Sequence, residues 1–196
     1  ASAHPEVRRR AAVTVGRLAD PRGGALLATA RTDADVEVAA SAVFAMGQLR
    51  DPALVPWLAE TLSARTTNPI IAREAAQALG KIRSPEARTA LGAYLTSAPA
   101  TPAAAPVVGE ALLSLGRFTG KGDLAPIVKW VTSPDTEIRW RATWAVMCPS
   151  FCWEELRWPW GAGPNCTRFR ISLLLEEKHL AVVASGEAVI AIGGEW

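Results

Sequence analysis

The chain is predicted to be all-α: a superhelix of about four and a half stacked helix pairs, followed by an irregular tail with a weak β-hairpin. Three observations carry this. A phrase recurs four times, VRRRAAVTVGRLADP from Val7, VAASAVFAMGQLRDP from Val38, IAREAAQALGKIRSP from Ile71 and VVGEALLSLGRF from Val107. Its glycines, Gly16, Gly47, Gly80 and Gly116, stand 31, 33 and 36 residues apart, a period typical of helix-pair solenoids. The apolar slots around each glycine follow helical spacing.

Each shared slot has a physical reason. Nine residues before the glycine stands Val7, Val38, Ile71 or Val107, and five before it Ala11, Ala42, Ala75 or Ala111. With Val15, Met46, Leu79 and Leu115 just before the glycine, these form one stripe of a first helix. The alanine allows a neighbouring helix to approach closely. The glycine suits a helix end that turns left-handed, where a Cβ is costly. Asp20-Pro21, Asp51-Pro52 and Ser84-Pro85 then offer an N-cap side chain and a proline at the first helical position. The second helices carry their own stripes: Leu26, Leu27 and Ala30; Leu54, Trp57, Leu58 and Leu62; Ala87, Ala90, Leu91 and Leu95; Leu124, Ile127, Val128 and Val131.

The pairs read as residues 4–32, 33–66, 67–96 and 107–132, with a partial fifth over 133–147. Ser97 to Pro106 is proline-rich and reads as an extended connection. In the fifth copy Met147 stands where glycine is due, and the pattern stops. We therefore divide the chain into a repeat domain, 1–147, and a tail, 148–196.

The V-x3-A-x4-G-x-L-x-D-P phrases resemble the HEAT-repeat superfamily, and most closely its short bacterial branch of phycobilin-lyase-type repeats. The resemblance covers residues 4 to about 147. It implies a solenoid whose second helices line a concave, partner-binding face. On that face it places Arg22, Glu60, Arg88, Lys129 and Trp130, the Trp130 ring turned toward the groove. Trp57 is assigned to the core. Trp140 and Trp144 are expected to pack against the fourth pair or the next element of the stack.

The tail differs in kind. It holds all three cysteines and four of the eight tryptophans, and nets −2, against +4 for residues 1–147. It reads three ways: a non-native reading frame, a divergent cap over the open end of the solenoid, or a small functional module. Arg168 to Leu175 and Leu180 to Ile192 have strand-like runs, with Ser185-Gly186-Glu187 as a turn between two strands. Cys148, Cys152, Cys166 and His179 could be written as a zinc set, yet the second half lacks a paired clip; the favoured reading is no metal and no cofactor.

Catalytic motifs are missing. There is no Walker loop, no GxGxxG and no nucleophile elbow. The His-Glu pairs of HEAT-type iron hydroxylases are missing too: His4 precedes proline and His179 precedes leucine. No apolar run is long enough to span a bilayer. A net charge of +2 names no nucleic-acid partner, and Arg8-Arg9-Arg10 reads as an exposed face of the first helix. The absent initiator methionine and the break after Met147 point to a fragment. Seventeen arginines against four lysines, with abundant alanine, hint at a GC-rich bacterial genome.

The expected function is a non-enzymatic scaffold that binds another protein along the concave face. The alternatives are an enzyme or enzyme subunit resembling bilin lyases and isomerases, or the helical segment of a larger multidomain enzyme.

Overall fold

A computed structural model describes residues 2–64, 68–118, 123–147, 179–184 and 188–193. Its helices are α1 (Pro5–Leu18), α2 (Gly24–Ala30), α3 (Val36–Leu49), α4 (Val55–Ser63), α5 (Pro69–Ile82), α6 (Pro85–Ser97), α7 (Ala105–Gly116), α8 (Ala125–Val128) and α9 (Thr136–Met147). Strands β1 (His179–Ala184) and β2 (Ala188–Gly193) pair antiparallel, Leu180 opposite Ile192. The turn assigned to Ser185–Glu187, the run Arg168–Leu175, and Cys148, Cys152 and Cys166 lie outside the described residues. His179 opens β1.

Odd-numbered helices stack on one another in sequence order, α1 on α3, α3 on α5, α5 on α7 and α7 on α9. The even-numbered helices form the other layer. This is the expected all-α solenoid. Its core lies between the layers. Val43, Met46, Leu79 and Leu112 come from the first helices, and Leu27, Leu58, Leu91, Leu95 and Ile127 from the second; all are buried.

The ruler glycines are not left-handed helix ends. Gly16, Gly47 and Gly80 lie inside helices, Gly116 is the last residue of α7, and none has a positive φ. The left-handed residues come three positions later: Ala19, Arg50 and Arg83, with φ of 52°, 52° and 58°. The glycines are there because consecutive first helices touch at them. A Cβ on Gly16 would lie 2.8 Å from the Ala45 Cβ. One on Gly47 would lie 2.7 Å from the Ala78 Cα, and one on Gly80 2.5 Å from the Ser114 Oγ. One on Gly116 would meet the Trp144 ring at 2.6 Å and the Ala145 Cα at 3.0 Å. The facing slot, two residues before the next glycine position, is small every time: Ala45, Ala78, Ser114, Ala145. In α1, the first of the described helices, that slot holds the exposed Thr14.

The caps form as the sequence implies. The Asp20 carboxylate accepts from the Arg22 N–H, Asp51 from the Ala53 N–H and Ser84 from the Ala87 N–H. Asp20 and Asp51 each cap a single 3-10 turn that leads into the second helix. The proline-rich connection is shorter than expected: α6 runs to Ser97, and α7 starts at Ala105 with Pro106 in its first turn, where its missing N–H is harmless.

Pair one departs from the shared pattern in exposure. Val7, Leu18 and Leu26 are 53%, 72% and 66% exposed, whereas Val38 and Leu49 in the equivalent slots of pair two are buried. Nor is Arg8 a free surface charge. Its Nε lies 2.7 Å from Asp33 Oδ2, both side chains largely covered, and it ties α1 to the loop before α3. Arg9 and Arg10 instead pair with Glu6 on the surface of α1.

Candidate functional site

The five residues expected on the binding face do not converge on one site. Arg22 folds back on its own cap, Nε 2.9 Å from Asp20 Oδ2, so each group favours the charged form of the other. Glu60, exposed on α4, accepts from Arg31 of the preceding pair at 3.1 Å. The same arginine reaches the Thr61 hydroxyl, so this pair bridges two repeats. Arg88 stands over the Phe118 ring, 5.2 Å from its centroid.

Trp130 contradicts its assignment. It is only 4% exposed, and its indole N–H donates to the Leu95 carbonyl at 3.2 Å. Beside it the Lys129 ammonium donates to the Thr96 carbonyl at 2.7 Å and lies 4.6 Å from the Trp130 ring centroid. A cation is favoured there, because the last carbonyls of α6 have no intrahelical donors. Trp130 and Lys129 thus cap the end of α6.

Trp57 is the opposite case. Assigned to the core, it is 36% exposed on α4. Counted from the ruler glycine, Leu27, Leu58, Leu91 and Ile127 stand at plus eleven, and all are buried. Trp130 stands at plus fourteen, with the buried Thr61. Trp57 stands at plus ten with the exposed Leu26, and nothing in that apolar slot signals exposure in the sequence. The remaining tryptophans split: Trp144 packs on Gly116 of the fourth pair, and Trp140 is 57% exposed.

The second-helix surface is therefore mild in character. Leu26 on α2 and Trp57 on α4 occupy equivalent slots in adjacent pairs, and α2 touches the second pair where Gly24 meets Leu54. Ala25, Pro56 and Ala93 are exposed around and beyond them. The first-helix surface is more charged. Glu110 is held in the protonated direction by burial, against the opposing Arg117 and Arg141. One of its carboxylate oxygens lies 3.8 Å from Arg117, too far for a hydrogen bond, and has no hydrogen-bond partner among the described residues.

Among the described residues no group of three His, Cys, Asp or Glu side chains could hold a metal ion. No described helix is long and apolar enough to cross a membrane. A cleft of about 100 Å³ lies between the proline-rich connection and the loop before α9, lined by Pro99, Thr101, Val108, Trp130, Pro134 and Ile138. That is below the size of small-molecule sites, about 300–1,000 Å³.

Comparison with curated proteins gives no match. Residues 23–106 match the family model described as HEAT repeats. The matched segment runs from the second helix of the first pair to the start of α7, within the array of stacked helix pairs.

Proposed function

We propose that the chain is a non-enzymatic protein-interaction scaffold, with residues 1–147 as its working unit and the second-helix surface as its binding face. The observation that carries this reading is the pair Leu26 and Trp57. Two large apolar side chains stand exposed in the same slot of consecutive second helices, ringed by small residues. Exposed tryptophan on a rigid helical frame is a favoured interface anchor. Glu60, three residues from Trp57 on α4, and Arg22, four before Leu26, supply polar contacts at its rim, and Arg88 lies further along the second-helix layer. Stacked repeats suit this work, because each pair contacts only its neighbours and the array presents one long surface.

The test is site-specific photo-crosslinking in extracts of the source cells. A photoreactive residue at Glu60 or Ala93 is expected to give a discrete protein adduct, and one at Arg73 on the first-helix surface none. The adduct disappears when Leu26→Ser and Trp57→Ala are introduced together. An adduct that survives both substitutions, or one that forms only from Arg73, contradicts the reading.

A further inference from the structure

The turns inside the helix pairs carry a feature that the second-helix surface does not use. Each of the first four pairs places basic side chains at the end of its first helix: Arg17, Arg50, Lys81 with Arg83, and Arg117. Gly16 meets Ala45 and Gly47 meets Ala78 at matching depths, so the first helices run parallel. Their C-terminal ends therefore share one edge of the array. Helices packed side by side lie about 8–10 Å apart, which sets the pitch of the row.

Arg17, Arg50 and Arg83 are exposed, and among the described residues none makes an ion pair or a side-chain hydrogen bond. The Lys81 ammonium rests 3.9 Å from the centroid of the Phe44 ring, reaching across to the preceding pair. The row is close enough for its members to feel one another. Burial is the largest influence lowering the Lys81 pKa; Arg117 and Arg50 lower it too, while Glu74 and Glu110 raise it. Two acidic groups face the row from the first helices, Glu74 toward Lys81 and Glu110 toward Lys81 and Arg117, 3.8 Å from the latter; the others near this edge serve the second-helix starts. Asp20 holds Arg22, Asp51 accepts from the Ala53 N–H, and Glu86 follows the Ser84 cap. Two of the arginines also sit on left-handed backbone, φ 52° at Arg50 and 58° at Arg83, where glycine or asparagine is the less strained choice.

We propose that this edge is a docking strip for an extended acidic segment of a protein partner, with a carboxylate at about every third residue. In a polyproline-II-like extended chain three residues make one turn and each advances about 3.1 Å, so every third side chain faces the same way and successive ones lie about one repeat apart. A nucleic-acid duplex presents a charge about every 3.4 Å on each strand, too dense for one or two cations per repeat. The proposal rests on the scaffold reading in requiring a protein partner, and it adds a second contact surface to it.

The test titrates the full chain, at low salt, into a fluorescein-labelled peptide with glutamate at every third position between Ser and Gly, followed by anisotropy. The variant Arg50→Asn/Arg83→Asn removes two charges while keeping residues that tolerate the left-handed turn. Its affinity is expected to fall about tenfold. Arg50→Gly/Arg83→Gly is a second variant with the same expected loss, and melting curves confirm that both fold. Arg9→Gln/Arg10→Gln removes equal charge from the side of α1 and is expected to bind as the parent does. No binding by the parent chain, parent-like binding by both turn variants, or an equal loss in the α1 variant overturns the proposal. Equal affinity for a peptide with its glutamates clustered removes the pitch argument and overturns it too. Tighter binding of a single-stranded oligonucleotide makes nucleic acid the occupant instead. None of these outcomes touches the crosslinks at Glu60 and Ala93, so the scaffold reading stands or falls separately.

Discussion

The substitution Gly47→Ala puts the packing argument at risk most directly. Replacing a helical glycine by alanine ordinarily stabilises a helix by about 1 kcal/mol. Here the added methyl would lie 2.7 Å from the Ala78 Cα and 2.9 Å from its Cβ. Neither atom can be moved by a change of rotamer, so α3 and α5 must separate. Overpacking of this kind costs about 1–3 kcal/mol, and the backbone contact places this site at or above the top of that range. The propensity gain offsets about a third of it, leaving a net loss of about 2 kcal/mol. For a chain of this size that lowers the melting temperature by about 4–8 °C. The control is Gly92→Ala in α6, where the new methyl meets only the Pro126 side chain, its Cγ at 3.4 Å, an ordinary contact. There the propensity gain survives, and melting rises by about 2–4 °C. Thermal unfolding followed by circular dichroism measures both. Should Gly47→Ala melt higher than the parent chain, the close-approach account of the ruler glycines is wrong.

Three further outcomes are expected from the same geometry. Arg50→Gly relieves a side chain held at φ 52° and is expected to stabilise the chain by about 0.5–1 kcal/mol; urea titration that finds it destabilised contradicts the strain assigned to that turn. The Ser114 Oγ is buried against Gly80 without a hydrogen-bond partner among the described residues, in a slot filled by alanine in α3, α5 and α9, so Ser114→Ala is expected to add about 1 kcal/mol to unfolding. The Arg8 guanidinium holds the Asp33 carboxyl at about 2, below its ordinary 3.8. A depressed carboxylate stabilises the fold fully above its unfolded value and loses that contribution as pH falls through the folded one. The protection of α1 amides, taken relative to intrinsic exchange at each pH, should therefore fall between pH of about 4 and 2 in the parent chain, and Asp33→Asn should show the lower protection already at neutral pH.

Some of this was legible in the residues. The phrase repeated at Gly16, Gly47, Gly80 and Gly116 defined the helix pairs, because no such pair hides its apolar stripe alone. Asp20, Asp51 and Ser84 announced their caps by chemistry confined to three consecutive residues. The candidate site was less legible. Trp57 and Trp130 took the faces opposite to those expected, since a single step along a helix turns a side chain by about 100° and an apolar residue at the margin of a stripe gives no sign of the side on which it falls. Lys129 gave no local sign that it would reach the carbonyls of α6, about thirty residues earlier in the chain.

Sequence by itself settled the period and the element types, which depend on neighbours within a turn or two of helix; it drew the apolar stripes too wide, at Val7, Leu26 and Trp57. Tertiary structure decided why the glycines recur, since only the stacked helix reveals Ala78 against Gly47 and Ser114 against Gly80. It also decided how charge is distributed. A net of +2 conceals an edge where Arg17, Arg50, Lys81, Arg83 and Arg117 come into line, because parallel stacking brings into register residues that the chain keeps about thirty apart.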